Sequence, residues 1–225
     1  MRQQGQGRRV LETPRAAGLA GVVFALLFAA VIVLLRLGIP EGAGAATAGG
    51  FTDTGRRNAL RAALVLVPFA GIFFLWFVGA VRAYVGAAED KFLSTVFLGS
   101  GLVFTATMFG AAAAAQAVLV VGHAAGRAPD LPVWDFGRHL AYILITEYAT
   151  RMAAVFVSAM SVIGHRLAVL PRWLSVVGSL TALTLLFVAS NVPWAELAFP
   201  AWSLLLSVYV IVASGRAGTR TTATS

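Results

Sequence analysis

The sequence predicts an all-α integral membrane bundle of six transmembrane helices, and three observations predict it. Of the 225 residues, 59% are hydrophobic and only 12% are charged, against about 45 to 50% apolar and about 25% charged in soluble domains. Mean hydropathy is +0.85. The apolar residues fall in long blocks instead of alternating with polar ones, and six of these blocks reach the roughly 20 helical residues that cross about 30 Å of hydrocarbon. A formal net charge of +8 invites a nucleic-acid reading, but the arginines stand singly or in pairs between apolar blocks. No basic face is interleaved with aromatics, so the charge is a fringe on a membrane protein and nucleic acid is not an expected partner. The absence of cysteine excludes disulfides, thiolate metal sites and cysteine catalysis.

In chain order the spans are expected at Ala17 to Leu35, Leu60 to Val81, Phe92 to Val121, Leu140 to Ile163, Trp173 to Val192 and Ala195 to Ala213. The first block follows "GRRVLE" and precedes "GAGAATAGG", which imitates a secretion signal. Its apolar core exceeds the roughly 7 to 15 residues of a signal peptide, so a retained helix is expected. The third block is longer than a bilayer needs and should tilt, bend near Gly110 or project through "AAAAAQA". The fifth and sixth meet at "NVPW", Asn191 to Trp194, with room only for a tight hairpin; a single re-entrant segment there would leave five spans. Residues 1–16 read as a cytoplasmic N-terminal tail, 17–214 as one transmembrane domain and 215–225 as a disordered cytoplasmic tail. The Gly- and Ala-rich loop from Glu41 to Gly55 reads as disordered as well.

Basic residues set the orientation in the cell membrane. With the N-terminus inside, Arg2, Arg8, Arg9, Arg15, Arg82, Lys91, Arg166, Arg172, Arg216 and Arg220 face the cytoplasm, against Arg56, Arg57, Arg61, Arg127 and Arg138 outside. This bias favours cytoplasmic termini. Arg36 ends the first span and is expected to snorkel outward.

Within the spans, Gly18 and Gly21, Gly99 and Gly101, Gly110 with its alanines, and Gly178 stand where helices approach closely. Pro68 and Pro200 free backbone carbonyls and permit kinks. The segments "PFAGIFFLWFVGAVR" (Pro68 to Arg82), "EDKFLSTVFLGSG" (Glu89 to Gly101), "RMAAVF" (Arg151 to Phe156) and "LPRWLSVVG" (Leu170 to Gly178) resemble those of uncharacterised multi-pass integral membrane proteins of high-GC actinobacteria. The resemblance covers most of the chain from the second span onward. It implies an architecture and a host class, and no catalytic residues.

The fourth span, "HLAYILITEYATRMAAVFVSAMSVIG", keeps Glu147 and Arg151 in its interior, where each ionisable group costs roughly 2.5 to 3.5 kcal/mol on insertion scales. At about 100° per residue, His139, Tyr142, Thr146, Glu147, Thr150, Arg151, Ser158 and Ser161 share one half of the helix. Ala141, Leu144, Ile145, Tyr148, Met152, Val155, Phe156 and Ala159 share the other, which reads as the lipid face. Glu147 precedes Arg151 by one turn, the favourable order for an intrahelical pair. Glu147 lies about 10 Å below Leu140 at 1.5 Å per residue, and Gln116 of the third span reaches a similar depth. His139, His123, Asn191 and Glu196 sit near the outer mouth. Glu147, Arg151, Gln116, His139, Tyr142, Thr146 and Thr150 therefore outline a candidate ligand pocket open to the outside. The same residues serve equally as a buried link between helices, and the sequence leaves both readings open.

With a single acid well inside a span, a proton relay lacks its inward steps. The histidines lack metal-ligand spacing, so no metal is expected, and nothing in the sequence calls for a cofactor. Glu89 and Asp90 read as a solvated helix start. Trp76, Trp173, Trp194 and Trp202 read as packing and interface anchors, and Trp134 and Asp135 as part of an ordered outer loop. Three function classes follow. The first binds or transports a small lipophilic, lipid-like or zwitterionic molecule through the outer pocket. The second is a membrane-embedded isomerase or cyclase with Glu147 as acid, and the third a structural or partner subunit. The oligomeric state stays open.

Overall fold

The computed structural model describes residues 4–38, 54–85, 91–124, 131–189, 192 and 194–222. Their regular structure is entirely helical: α1 (Gln4–Gly38), α2 (Thr54–Val85), α3 (Lys91–Ala124), α4 (Leu131–Ile143), a π-helical segment (Leu144–Ala149), α5 (Thr150–Arg166), α6 (Arg172–Phe187), a 3-10 turn (Ala195–Leu197) and α7 (Ala198–Thr222). The all-α membrane bundle expected from the sequence is the fold observed. Five helical stretches are long and apolar enough to cross a membrane, Gly18–Gly38, Thr54–Val85, Lys91–Ala117, His139–Arg166 and Ala195–Ser214, whereas Arg172–Phe187 is apolar but shorter. Its 16 residues rise about 24 Å at 1.5 Å per residue. The expected fifth span to Val192 is thus cut back to a sixth, short rod. The chain leaves the helix at Val188 and turns toward Glu196, where the Trp194 backbone takes left-handed angles (φ 71°, ψ −2°).

Helix continues past the apolar spans at both ends: α1 starts at Gln4 and α7 runs to Thr222, within the segments 1–16 and 215–225 read as tails. Once a helix is nucleated by an apolar span, each added residue gains one hydrogen bond, and a polar continuation costs little. α3 is one unbroken helix through Gly110. Pro200 stands in the first turn of α7, where its missing N–H is no loss, so it starts a helix and does not kink one. Pro68 does lie inside α2. The 41–53 part of the loop after the first span, Glu89, Asp90 and Asn191 lie outside the described residues, as do the side chains of His123, Trp134 and Asp135.

The rods close into a ring. α1 lies beside α2 and α7, α2 beside α3, α3 beside α4 and α5, α5 beside α6, and α6 beside α7. α1 and α7 are antiparallel, because Arg36 meets Glu196 at one end and Gly18 meets Ser207 and Ile211 at the other. A Cβ on Gly21 would run into Ser207 and Phe77, so only glycine lets these backbones approach at that crossing. By contrast, Gly99 has open space around it and contributes nothing to packing.

Phenylalanines fill the middle of the ring. Phe74 is fully buried, with ring centroids of Phe24 at 4.7 Å, Phe104 at 5.0 Å, Phe156 at 5.1 Å and Phe199 at 6.0 Å. These rings come from α1, α3, α5 and α7 and meet tilted or edge-on, the geometry that each ring's quadrupole favours. Lipid tails are as apolar as the core, so dispersion and ring geometry, more than expulsion of water, select this arrangement. The outside is apolar too: Leu26, Val65, Phe69, Trp76, Leu102, Tyr148, Trp173 and Leu180 are exposed. A surface of that kind belongs against hydrocarbon.

Candidate functional site

The chain passes from α4 into α5 through six π-helical residues, Leu144 to Ala149. A π segment carries one extra residue per turn and lets a backbone N–H reach the carbonyl five residues back. The Thr150 N–H bonds the Ile145 carbonyl in this way, and side chains add further bonds. The Thr150 hydroxyl donates to the Ile145 carbonyl at 2.8 Å, and Thr146 donates to the Tyr142 carbonyl at 2.9 Å. Arg151 donates to the Glu147 carbonyl at 2.9 Å and also pairs with the Glu147 carboxylate. The two charged side chains are 42% and 37% exposed for Arg151 and Glu147. These bonds stay within their own helix.

The π segment also shifts the register that a uniform 100° per residue assumes. Thr146, Thr150 and Ser161 are buried while His139, Tyr142 and Ser158 are exposed, so the expected polar half does not stay together. Ala141, Phe156 and Ala159, expected on the lipid face, are buried. Phe156 faces inward because Phe74 and Phe97 are there to stack on.

A cavity of about 320 Å³ lies between α1, α2, α3 and α4, at the end of the bundle where Arg36 meets Glu196, within the range of ligand pockets. Phe28, Val31, Ile32 and Leu35 of α1, Leu64 and Val67 of α2, and Met108, Ala111, Ala112 and Ala115 of α3 supply most of its apolar wall. Ala141 and Ile145 complete it, and the polar groups are Arg36, His139, Tyr142, Thr146 and Glu196. The alanine run that reads as packing small talk in sequence becomes here a thin wall that leaves room. Pro68 takes away the N–H that would serve the carbonyl of Leu64, one turn along the same wall.

Of the residues expected at the pocket, His139, Tyr142 and Thr146 do line the cavity, and Gln116, Glu147, Thr150 and Arg151 are not part of its wall. Gln116 is exposed. The charges at the cavity are a different pair. Arg36 Nη2 donates to Glu196 Oε2 at 2.8 Å, with the side chains 16% and 9% exposed, and the guanidinium lies 5.4 Å from the centre of the Trp194 ring. The left-handed backbone of Trp194 is costly for a bulky residue, by about 1 to 3 kcal/mol. That conformation turns the chain so that Trp194 and Glu196 both reach Arg36. Two sequence signals point at this pair: Arg36 is a charge ending an apolar block, and Glu196 is the one acid of the last span. Both lie at the same end of the bundle. Neither signal joins them, since they are 160 residues apart.

Among the described residues no three His, Asp or Glu side chains gather as a metal site. No protein family, curated protein or solved structure matches this chain, so the functional reading stands on the geometry of the cavity.

Proposed function

We propose that this multi-pass membrane protein binds, or carries, a small or lipid-like molecule in the cavity between α1, α2, α3 and α4. One observation carries the reading: an apolar chamber of about 320 Å³ with a part-buried Arg36–Glu196 pair at one end. An apolar body with a few convergent polar groups is the usual form of a small-molecule site. The distribution of basic residues supports cytoplasmic termini, which would put the cavity in the outer half of the cell membrane.

The test is native mass spectrometry of the full chain released from membranes, beside the same chain carrying Ala112→Phe, which fills the chamber. A co-purified ligand mass on the wild type that is lost from the variant is the expected result. Equal occupancy of both chains, or of neither, would refute the reading.

A further inference from the structure

We infer that the occupant of this cavity is an uncharged amphiphile, a long-chain alcohol or ketone in chemical class, and that the Arg36–Glu196 pair sets this preference. The inference rests on the binding reading above and adds the chemistry of the ligand. The formal charges of Arg36 and Glu196 on the cavity wall are opposite, and they are joined at 2.8 Å with little exposure. They come from the last turn of α1 and the turn that opens α7, so they meet only in the folded bundle.

A carboxylate entering this space would compete with Glu196 for Arg36, and an ammonium would compete with Arg36 for Glu196. Either event breaks the 2.8 Å bond between the two charges, which is costly where both are largely shielded. A hydroxyl or carbonyl head makes no such demand. His139 and Tyr142, at the same polar end, are residue types that both donate and accept hydrogen bonds. Phe28 lies eight residues before Arg36 on α1, about 12 Å deeper at 1.5 Å per residue, and Ile32, Val67 and Met108 line the way. The chamber thus has a polar end and an apolar end about that far apart, as an amphiphile has. A ligand that is polar throughout would leave its groups unpaired against this wall.

Three probes of equal chain length decide the question: dodecanol, dodecanoate and dodecylammonium. Each is titrated against the full chain in phosphatidylcholine nanodiscs, and the rise in Tm gives an apparent Kd. Dodecanol should bind about tenfold more tightly than either ion, and Ala112→Phe should abolish its effect, with Ala115→Leu as a second blocked chamber should the first not fold. In Glu196→Gln, where the guanidinium keeps its charge without the carboxylate, dodecanoate should become the tightest of the three. Arg36→Gln should favour dodecylammonium in the same way.

An ion that binds the wild type as tightly as dodecanol, and loses its effect in the blocked chamber, would overturn the inference while leaving the binding site in place. An unchanged order of the probes in both charge variants would also overturn it, because the pair would not then set the preference. No shift with any probe, or equal shifts in the blocked chamber, would remove the binding reading itself and the inference with it.

Discussion

Among the described residues the bundle keeps two arginine–glutamate pairs, and they differ in almost everything except composition. Glu147 and Arg151 sit one turn apart on the same rod, each more than a third exposed, and their bonds close on their own backbone. Arg36 and Glu196 join the end of α1 to the start of α7 across 160 residues, largely hidden from the surface. The first pair therefore shapes a helix, and the second fastens two ends of the fold around a cavity. Burial and sequence separation decide which: a local pair forms wherever its helix forms, whereas a distant pair exists only after the tertiary structure has brought its members together.

The largest effect should come from splitting the distant pair. Replacing Glu196 or Arg36 singly by alanine is expected to cost about 3 to 5 kcal/mol, because each breaks a largely shielded ion pair. Replacing both together, Arg36→Met with Glu196→Leu, should restore much of the loss, as followed by unfolding in mixed micelles. A double variant no more stable than the singles would show that the bonds contribute more than the charge compensation does.

Next in size, Phe74→Ala should cost about 3 to 5 kcal/mol if the aromatic centre packs as a soluble core does, and toward the lower end in a membrane, where transfer from water adds little. Since Phe74 is not part of the cavity wall that holds the Arg36–Glu196 pair, this loss should add to that of Glu196→Ala. Strong non-additivity would mean that the pair holds the core and not only the cavity.

The local pair should matter less. The double replacement Glu147→Gln with Arg151→Gln should cost less than about 1 kcal/mol, since both charges leave together and their insertion cost leaves with them. Thr150→Val removes the hydroxyl bonded to the Ile145 carbonyl and should cost about 1 kcal/mol. A loss from the double replacement as large as that from Glu196→Ala would erase the distinction drawn between the pairs. The smallest expected change has the opposite sign. Ala168 takes left-handed angles (φ 53°) after α5, so Ala168→Gly should stabilise by up to about 1 kcal/mol, which calibrates the scale away from both pairs.

Much of the architecture is legible in the sequence because its signals are local. A block of about 20 apolar residues has few options in hydrocarbon but to be helical, so α1, α2, α3, the α4–α5 rod and α7 can be found without neighbours. His139, Tyr142 and Thr146, which share one half of the fourth span at 100° per residue, line the cavity. Arg36 illustrates the limit: snorkelling is the sound expectation for an arginine at a span end, and only the turn at Trp194 supplies the carboxylate and ring that hold it in. The π segment was hidden for a similar reason. Its extra residue is stabilised by Thr150 and Arg151 reaching back to carbonyls, and a uniform periodicity contains no term for that.

By itself, then, the sequence determined that this chain is a bundle of membrane-length helices, because the length and apolarity of each block settle its state before any contact is made. The tertiary structure decided which charges face which. It placed Glu147 and Arg151 in the service of their own backbone, and gave the cavity the distant pair Arg36 and Glu196. The reason is that desolvation and pairing depend on what lies within a few ångströms in space, and for residues 160 positions apart that neighbourhood exists only in the closed ring of helices.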